Sequence, residues 1–207
     1  MAFWVMILSY LLGSIPFSYL AGRLVAGIDI RAVGTKNVGA HNVMLEVGRV
    51  PGIAALFLDV GKGAAPVLLA QRLGLSQGVA LLAGMCAILG HNFSLFLGFR
   101  GGRGLASSMG VALALMFKEA LIGGLILLVV YIGLTHNVAF SAAVGLASMA
   151  VWAWLFGRPL TLVLSPLALM FLLGLRQFPE ARAMWRGAED KRELILHKWI
   201  FDRDARL

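Results

Sequence analysis

The chain is short of charge, and of acid most of all. Only 14% of its 207 residues are charged, and aspartate and glutamate together number 10. A soluble domain ordinarily carries about a quarter charged residues, so this composition argues against a water-soluble enzyme. There is one cysteine, Cys86, inside the apolar run VALLAGMCAILG. A lone cysteine excludes an intrachain disulfide and any zinc site of the CxxC kind. The sequence also lacks a P-loop, a dinucleotide fingerprint, an HExxH and a GxSxG, and with them the chemistries those motifs carry. The net charge of +8 comes without a nucleic-acid-binding module. No basic region precedes the first apolar run and no small-residue cleavage site follows it, so that run reads as a retained span rather than a signal peptide.

What the chain has in excess is apolar surface: 60% hydrophobic residues and a mean hydropathy of +0.87. That excludes disorder and predicts an all-α, polytopic membrane protein. A span needs about 20 apolar residues. Seven candidates occur, at 2–21, 51–70, 78–97, 105–117 (short), 120–134, 138–156 and 160–175. Residues 1–175 form the span-bearing domain and 176–207 a mixed-charge tail of helical pattern. With the N-terminus outside, the cytoplasmic segments hold six basic residues between Arg23 and Arg103 and eight more between Arg176 and Arg206; the outer turns hold only Arg72, Lys118 and Arg158. The positive-inside rule then predicts N-out, C-in, and an odd number of spans. The tail segment KRELILHKWIFDR, with Leu194, Ile195, Trp199 and Ile200, reads as an amphipathic helix on the membrane surface.

Three polar stretches share the cytoplasmic side in this topology. Residues 27–48 carry four glycines and two asparagines besides Asp29, Arg31, Lys36 and His41. The stretch is too polar to span and too glycine-rich for an ordinary helix, and such backbone makes concave anion sites. A plain surface loop is the alternative. Asp59 and Lys62, within the second span, are spaced i, i+3 and share a helix face. Ionisable groups there face a partner or a wet cavity, as a structural ion pair or as catalytic groups; both readings stand. The third stretch contains Arg100-Gly101-Gly102-Arg103-Gly104, followed by Ser107 and Ser108. It leads into a helix N-terminus, whose positive end and two arginines suit a phosphate. His91, at the end of the third span, reads as a hydrogen-bonded anchor.

These blocks resemble the bacterial membrane-integral acyl-phosphate:glycerol-3-phosphate acyltransferase family. The resemblance runs in order through Leu11-Leu12-Gly13-Ser14-Ile15-Pro16-Phe17, Asp29-Ile30-Arg31, Gly34 to Asn42, Asp59, Lys62-Gly63, and GHNF…FRGGRGLASSMG. It implies seven spans, an active site at the cytoplasmic face of a bacterial plasma membrane, and transfer of an acyl group from acyl phosphate to the 1-hydroxyl of glycerol-3-phosphate. The products would be lysophosphatidic acid and phosphate. It implies no cofactor, no coenzyme A or acyl carrier protein as direct donor, and a monomer whose partners are its two substrates and membrane lipid. An acyl phosphate is already activated, so no nucleophilic serine or cysteine is needed; proximity and charge stabilisation suffice.

On this reading Thr35, Lys36, Asn37, Gly39, Asn42, Arg100, Gly101, Gly102, Arg103, Gly104 and Ser107 bind substrate phosphate. His41, Asp59 and Lys62 are the catalytic candidates, with His41, Asp59 or a substrate phosphate taking the hydroxyl proton. Alanine at Asn37, Lys62 or Arg103 is expected to abolish transfer without preventing insertion. The sequence departs from the family pattern at Thr35, Lys36 and Leu45, at Ala142 beside Ser141, and at Gln177, Glu180 and Ala183, while Gly187 and Glu189 match it. Those departures keep two other readings in view: a divergent paralogue with another acceptor or acyl donor, or a non-catalytic lipid-binding subunit. His197 and Asp202 make the H-x4-D spacing of an unrelated glycerolipid acyltransferase superfamily, but in a charged tail without that family's context.

Overall fold

The computed structural model describes residues 1–188 and 190–200. Glu189, Asp202, Arg203 and Arg206 lie outside the described residues, as do the side chains of His197 and Lys198. The described chain is helical throughout, in two compact units that divide between Leu115 and Met116.

The first unit holds α1 (Ala2–Ser14), α2 (Phe17–Ala26), α3 (Ala40–Glu46), α4 (Arg49–Arg72), α5 (Gln77–Asn92) and α6 (Leu105–Leu115). Pro16, with no N–H to donate, follows the last turn of α1, so the apolar stretch Ala2–Ala26 is two helices rather than one. The break exposes the Ile15 carbonyl, and Lys62 from α4 fills it. Helix α4 is the centre of the unit and touches α1, α2, α3, α5 and α6. Small residues let these helices close. Gly13 and Gly90 lie against the carbonyls of Ala87 and Tyr10 where α1 meets α5, and Gly63 and Gly110 against those of Ser107 and Val60 where α4 meets α6. Backbones in a membrane approach at such residues because lipid offers helices no hydrophobic drive to associate.

The second unit holds α7 (Phe117–Val130), a π-helical turn at Tyr131–Thr135, α8 (Val138–Leu155), α9 (Leu160–Gly187) and a short α10 (Lys191–Glu193) continued by a π-turn to Ile200. Helix α8 packs on both α7 and α9. Glu119, fully buried, takes the Arg158 guanidinium at 2.6 Å and so ties α7 to the α8–α9 turn.

Six helices are long and apolar enough to cross a membrane: Ala2–Ala26, Arg49–Arg72, Gln77–Leu97, Phe117–Thr135, Val138–Leu155 and Leu160–Gly187. Each coincides with an expected span. The fourth expected span is α6, an apolar helix of 11 residues, shorter than a bilayer crossing requires. Two boundaries move. The composition changes at residue 176, where the tail was to begin, but α9 runs on to Gly187, because its backbone ladder does not depend on side-chain polarity. Within 27–48, residues 40–46 do form a helix, contrary to the expectation for so glycine-rich a stretch; Gly34, Gly39 and Gly48 frame it and none lies inside. Large apolar side chains such as Phe57, Leu125 and Ile132 point outward along the long helices, as lipid-facing residues do.

Candidate functional site

The site is built in the first unit where α1, α2, α4 and α5 come together under two glycine-bearing loops. Loop 27–39 is organised by one side chain. Asn42, buried at the start of α3, accepts from the Thr35 N–H at 2.9 Å and donates from Nδ2 to the carbonyls of Ile30 (2.9 Å), Val33 (3.2 Å) and Asn37 (3.2 Å). Gly34 sits at φ 54°, and a Cβ there would collide with Asn42 Oδ1 and Glu46, so the turn can close over the amide only as glycine. At the outer edge of the loop, Arg31 clamps Asp29 with its Nε (3.0 Å), its Nη2 (2.7 Å) and its own backbone N–H (3.0 Å). The Arg31 guanidinium holds the Asp29 carboxyl well below the usual carboxylate range, and the carboxylate in turn raises Arg31. The Tyr19 ring packs beneath both Arg23 and Arg31.

The second loop, 98–104, is held by the end of α5. The N–H groups of Gly101 and Gly102 donate to the carbonyls of Asn92 (3.1 Å) and His91 (3.0 Å). Gly104, at φ 83°, lies on the Asn92 side-chain oxygen and opens α6. The Asn92 amide is fully buried, with neither polar atom hydrogen-bonded. Ser94 Oγ donates to the Ser14 carbonyl at 2.6 Å and Tyr10 Oη to that of Phe93 at 2.8 Å, which ties the same turn to α1.

Between the loops lies a small pocket lined by Ser14, Pro16, Phe17, Ser18, Val38, Asp59, Lys62, His91, Ser94, Leu97 and Gly101. Its polar centre is the Asp59 carboxylate. Lys62 Nζ is 2.8 Å from Oδ1, Ser18 Oγ donates to Oδ2 at 3.1 Å, and His91 Nδ1 stands 3.7 Å from Oδ1. Lys62 also donates to the Ile15 carbonyl at 2.8 Å. A buried ion pair costs more in desolvation than contact alone returns, unless further hydrogen bonds complete it; Ser18 and the broken helix supply them.

Of the expected catalytic residues, Asp59 and Lys62 meet at this pocket. His41 is exposed on α3 and is not among the lining residues. Of the expected phosphate-binding residues, Gly101 lines the pocket, Gly102 and Gly104 are buried beside it, and Lys36, Arg100 and Arg103 are exposed on the two loops. Thr35 is exposed, with its N–H on Asn42; Asn37 and Gly39 are half-buried, and the Asn37 carbonyl accepts from Gly39 and Asn42. The Asn42 amide is engaged with its own loop, and the buried Ser107 hydroxyl donates to the Asp59 carbonyl at 3.1 Å, fastening α6 to α4. Polar side chains at such positions serve backbone groups that have no water to turn to. Ser18, Ser94 and the centrality of His91 were missed. Ser18 shows no local sequence signal. His91 did, in standing beside Asn92 and ahead of a glycine loop.

In the second unit Ser141, buried, lies 3.0 Å from the hydroxyl of Thr135, which also donates to the Val130 carbonyl. The Gln177 amide donates to the Leu173 carbonyl within its own helix at 3.4 Å.

The glycerol-3-phosphate acyltransferase family profile matches residues 3–187. A glycerol-3-phosphate acyltransferase of Shouchella clausii is 40% identical over 174 residues, covering 82% of this chain and 76% of that protein. Glycerol-3-phosphate acyltransferase 4 of Dehalococcoides mccartyi is 41% identical over 177 residues, covering 85% and 95%. Among solved structures, the glycerol 3-phosphate form of PlsY (YgiH), an integral membrane glycerol 3-phosphate acyltransferase, superposes with a TM-score of 0.79 at 31% identity, covering 91% of this chain and 94% of that one. The lysophosphatidic acid form of the same protein gives 0.78 at 30% identity and the same coverage. This chain, an all-helical multi-pass membrane protein, belongs to the glycerol-3-phosphate acyltransferase family.

Proposed function

We propose that this chain transfers an acyl group from an acyl phosphate to the 1-hydroxyl of glycerol-3-phosphate. The hydroxyl oxygen attacks the acyl carbonyl carbon, the carbonyl–phosphate C–O bond breaks, and the hydroxyl proton leaves with the departing phosphate. Lysophosphatidic acid and inorganic phosphate result. The observation that carries this reading is the placing of two glycine loops, one bearing Lys36 and one bearing Arg103, on either side of a pocket floored by Asp59, Lys62 and His91. Loops of that kind offer backbone N–H groups and cations to two phosphates, and the α6 N-terminus adds its positive end. Catalysis is then positioning of the hydroxyl against an activated carbonyl, with charge stabilisation of the departing phosphate. Asp59, already holding Ser18 and Lys62, keeps the floor charged and ordered rather than taking the proton.

In the same reading α6 completes a set of seven spans, the N-terminus is outside, and both loops face the cytoplasm of a bacterial cell at its inner membrane. Residues 1–175 carry the reaction as a monomer, without a cofactor, and 176–207 lie at the cytoplasmic surface. The test is purified protein given acyl phosphate and radiolabelled glycerol-3-phosphate, then lipid extraction. Labelled lysophosphatidate, and none when acyl coenzyme A replaces acyl phosphate, is the expected result. No labelled lipid from protein that unfolds cooperatively would remove the proposal.

A further inference from the structure

We propose that His91 is a positioning residue that sets the distance between the two phosphate loops, through its Nε2 edge. The inference rests on the acyl-transfer reading above. Three observations meet at this residue. Its Nδ1 stands 3.7 Å from Asp59 Oδ1, inside the pocket. Its own carbonyl accepts the Gly102 N–H at 3.0 Å. And at the point where a Gly102 side chain would begin, His91 Nε2 and the Val38 carbonyl already stand. The ring therefore stands beside the ion pair on α4 and beside Gly102 of the 98–104 loop, with the Val38 carbonyl of the 27–39 loop converging on the same point, and it is all but buried.

The two nitrogens of an imidazole face different neighbours and do different work. Here Nδ1 faces fixed charge deep in the helices. Nε2 faces the seam between the loops, where Gly102 and Val38 converge. If the loops hold the two phosphates, their separation sets the distance from acceptor hydroxyl to acyl carbonyl, and errors of about 1 Å in such a distance can cost about a hundredfold in rate. Lys62 points to Ile15, Ser18 to Asp59 Oδ2, and Asn42 to its own loop.

The amides of asparagine and glutamine separate the two edges. An asparagine amide replaces Nδ1 and a glutamine amide replaces Nε2. His91→Gln is expected to keep the KM for glycerol-3-phosphate near the wild-type value. His91→Asn, which abandons the seam, is expected to raise it about tenfold. Both should keep the shape of the pH–rate profile, and His91→Asn should lose kcat as well, because the separation of the loops sets the reacting distance. Equal and wild-type kinetics in both would overturn the proposal, as a space-filling ring predicts. So would loss of kcat together with the disappearance of one pH limb, which would make His91 the base itself. The shift in unfolding temperature caused by added glycerol-3-phosphate, measured on the same variants, needs no turnover; wild type that binds but makes no lipid would sink the reaction and leave this assignment standing. Should neither variant fold, amide exchange in the wild type decides. Gly101 and Gly102 should exchange as slowly as the core of α5, and exchange at the rate of an open loop would overturn the assignment.

Discussion

The Lys62 ammonium stands 2.8 Å from the Asp59 carboxylate, with both side chains almost wholly buried and one helical turn apart on α4. That relationship changes what a substitution there reports. Alanine at Lys62 was expected to remove activity from an intact protein. With the pair enclosed, Lys62→Met leaves Asp59 charged and unmatched, at a cost of about 3–5 kcal/mol. Thermal unfolding in detergent should show a large fall for Lys62→Met. The double variant Asp59→Leu with Lys62→Met should recover most of it. A double variant as unstable as the single would show that the pair is not coupled.

Asn42→Ala removes three donated bonds and one accepted bond from loop 27–39. Each buried group left unpaired costs about 1–3 kcal/mol. The loop should become sensitive to limited proteolysis near Lys36, and transfer should fall through a higher KM for glycerol-3-phosphate. Asn42→Asp keeps the acceptor for the Thr35 N–H but loses the donors, so it should resemble alanine rather than wild type.

Arg103 is exposed at the end of the glycine loop. If it meets a phosphate, Arg103→Ala loses a charge-assisted interaction of about 1.5–3 kcal/mol, or roughly ten- to a hundredfold in kcat/KM. Arg103→Lys should retain part of that, because the charge stays and the fork geometry goes.

Orientation is open to direct labelling, because Cys86 is the single native thiol. In a Cys86→Ser background, Lys36→Cys should react with an impermeant maleimide only from the cytoplasmic face. Arg72→Cys, at the far end of α4, should react only from outside. The reverse pattern would invert the topology and put both loops on the wrong side for a cytoplasmic substrate.

Asp29 yields a pH prediction with a definite sign. Its carboxyl is depressed in the folded chain by the Arg31 side chain and backbone N–H. A depressed acid contributes stability that is present above its unfolded value near 4 and is lost as the pH falls below it. The difference in proteolytic resistance between wild type and Asp29→Asn should therefore be constant from pH 8 to 5 and begin to close only below about 4. A difference that changed between pH 8 and 6 would point to another group.

Six of the span positions and the family were legible along the chain, because hydropathy over about 20 residues and motif order are local properties. The pairing of Asp59 with Lys62 was legible too, since i, i+3 neighbours must meet on a helix. The hydrogen-bond partners of Asn42, Ser107 and Ser18 were not. Asn42 and Ser107 have the residue types of a phosphate site, yet their partners are backbone groups 5 to 12 residues away in one case and 48 in the other. Nothing along a chain says which buried carbonyl will lie beside a side chain once helices pack. The same holds for His91, whose ring stands beside Asp59 and Gly102 in the packed helices where small residues bring α1 onto α5 and α6 onto α4. Hydrophobicity assigned these helices to the bilayer residue by residue; close packing across long separations chose which polar atoms would face the pocket and which would hold it open.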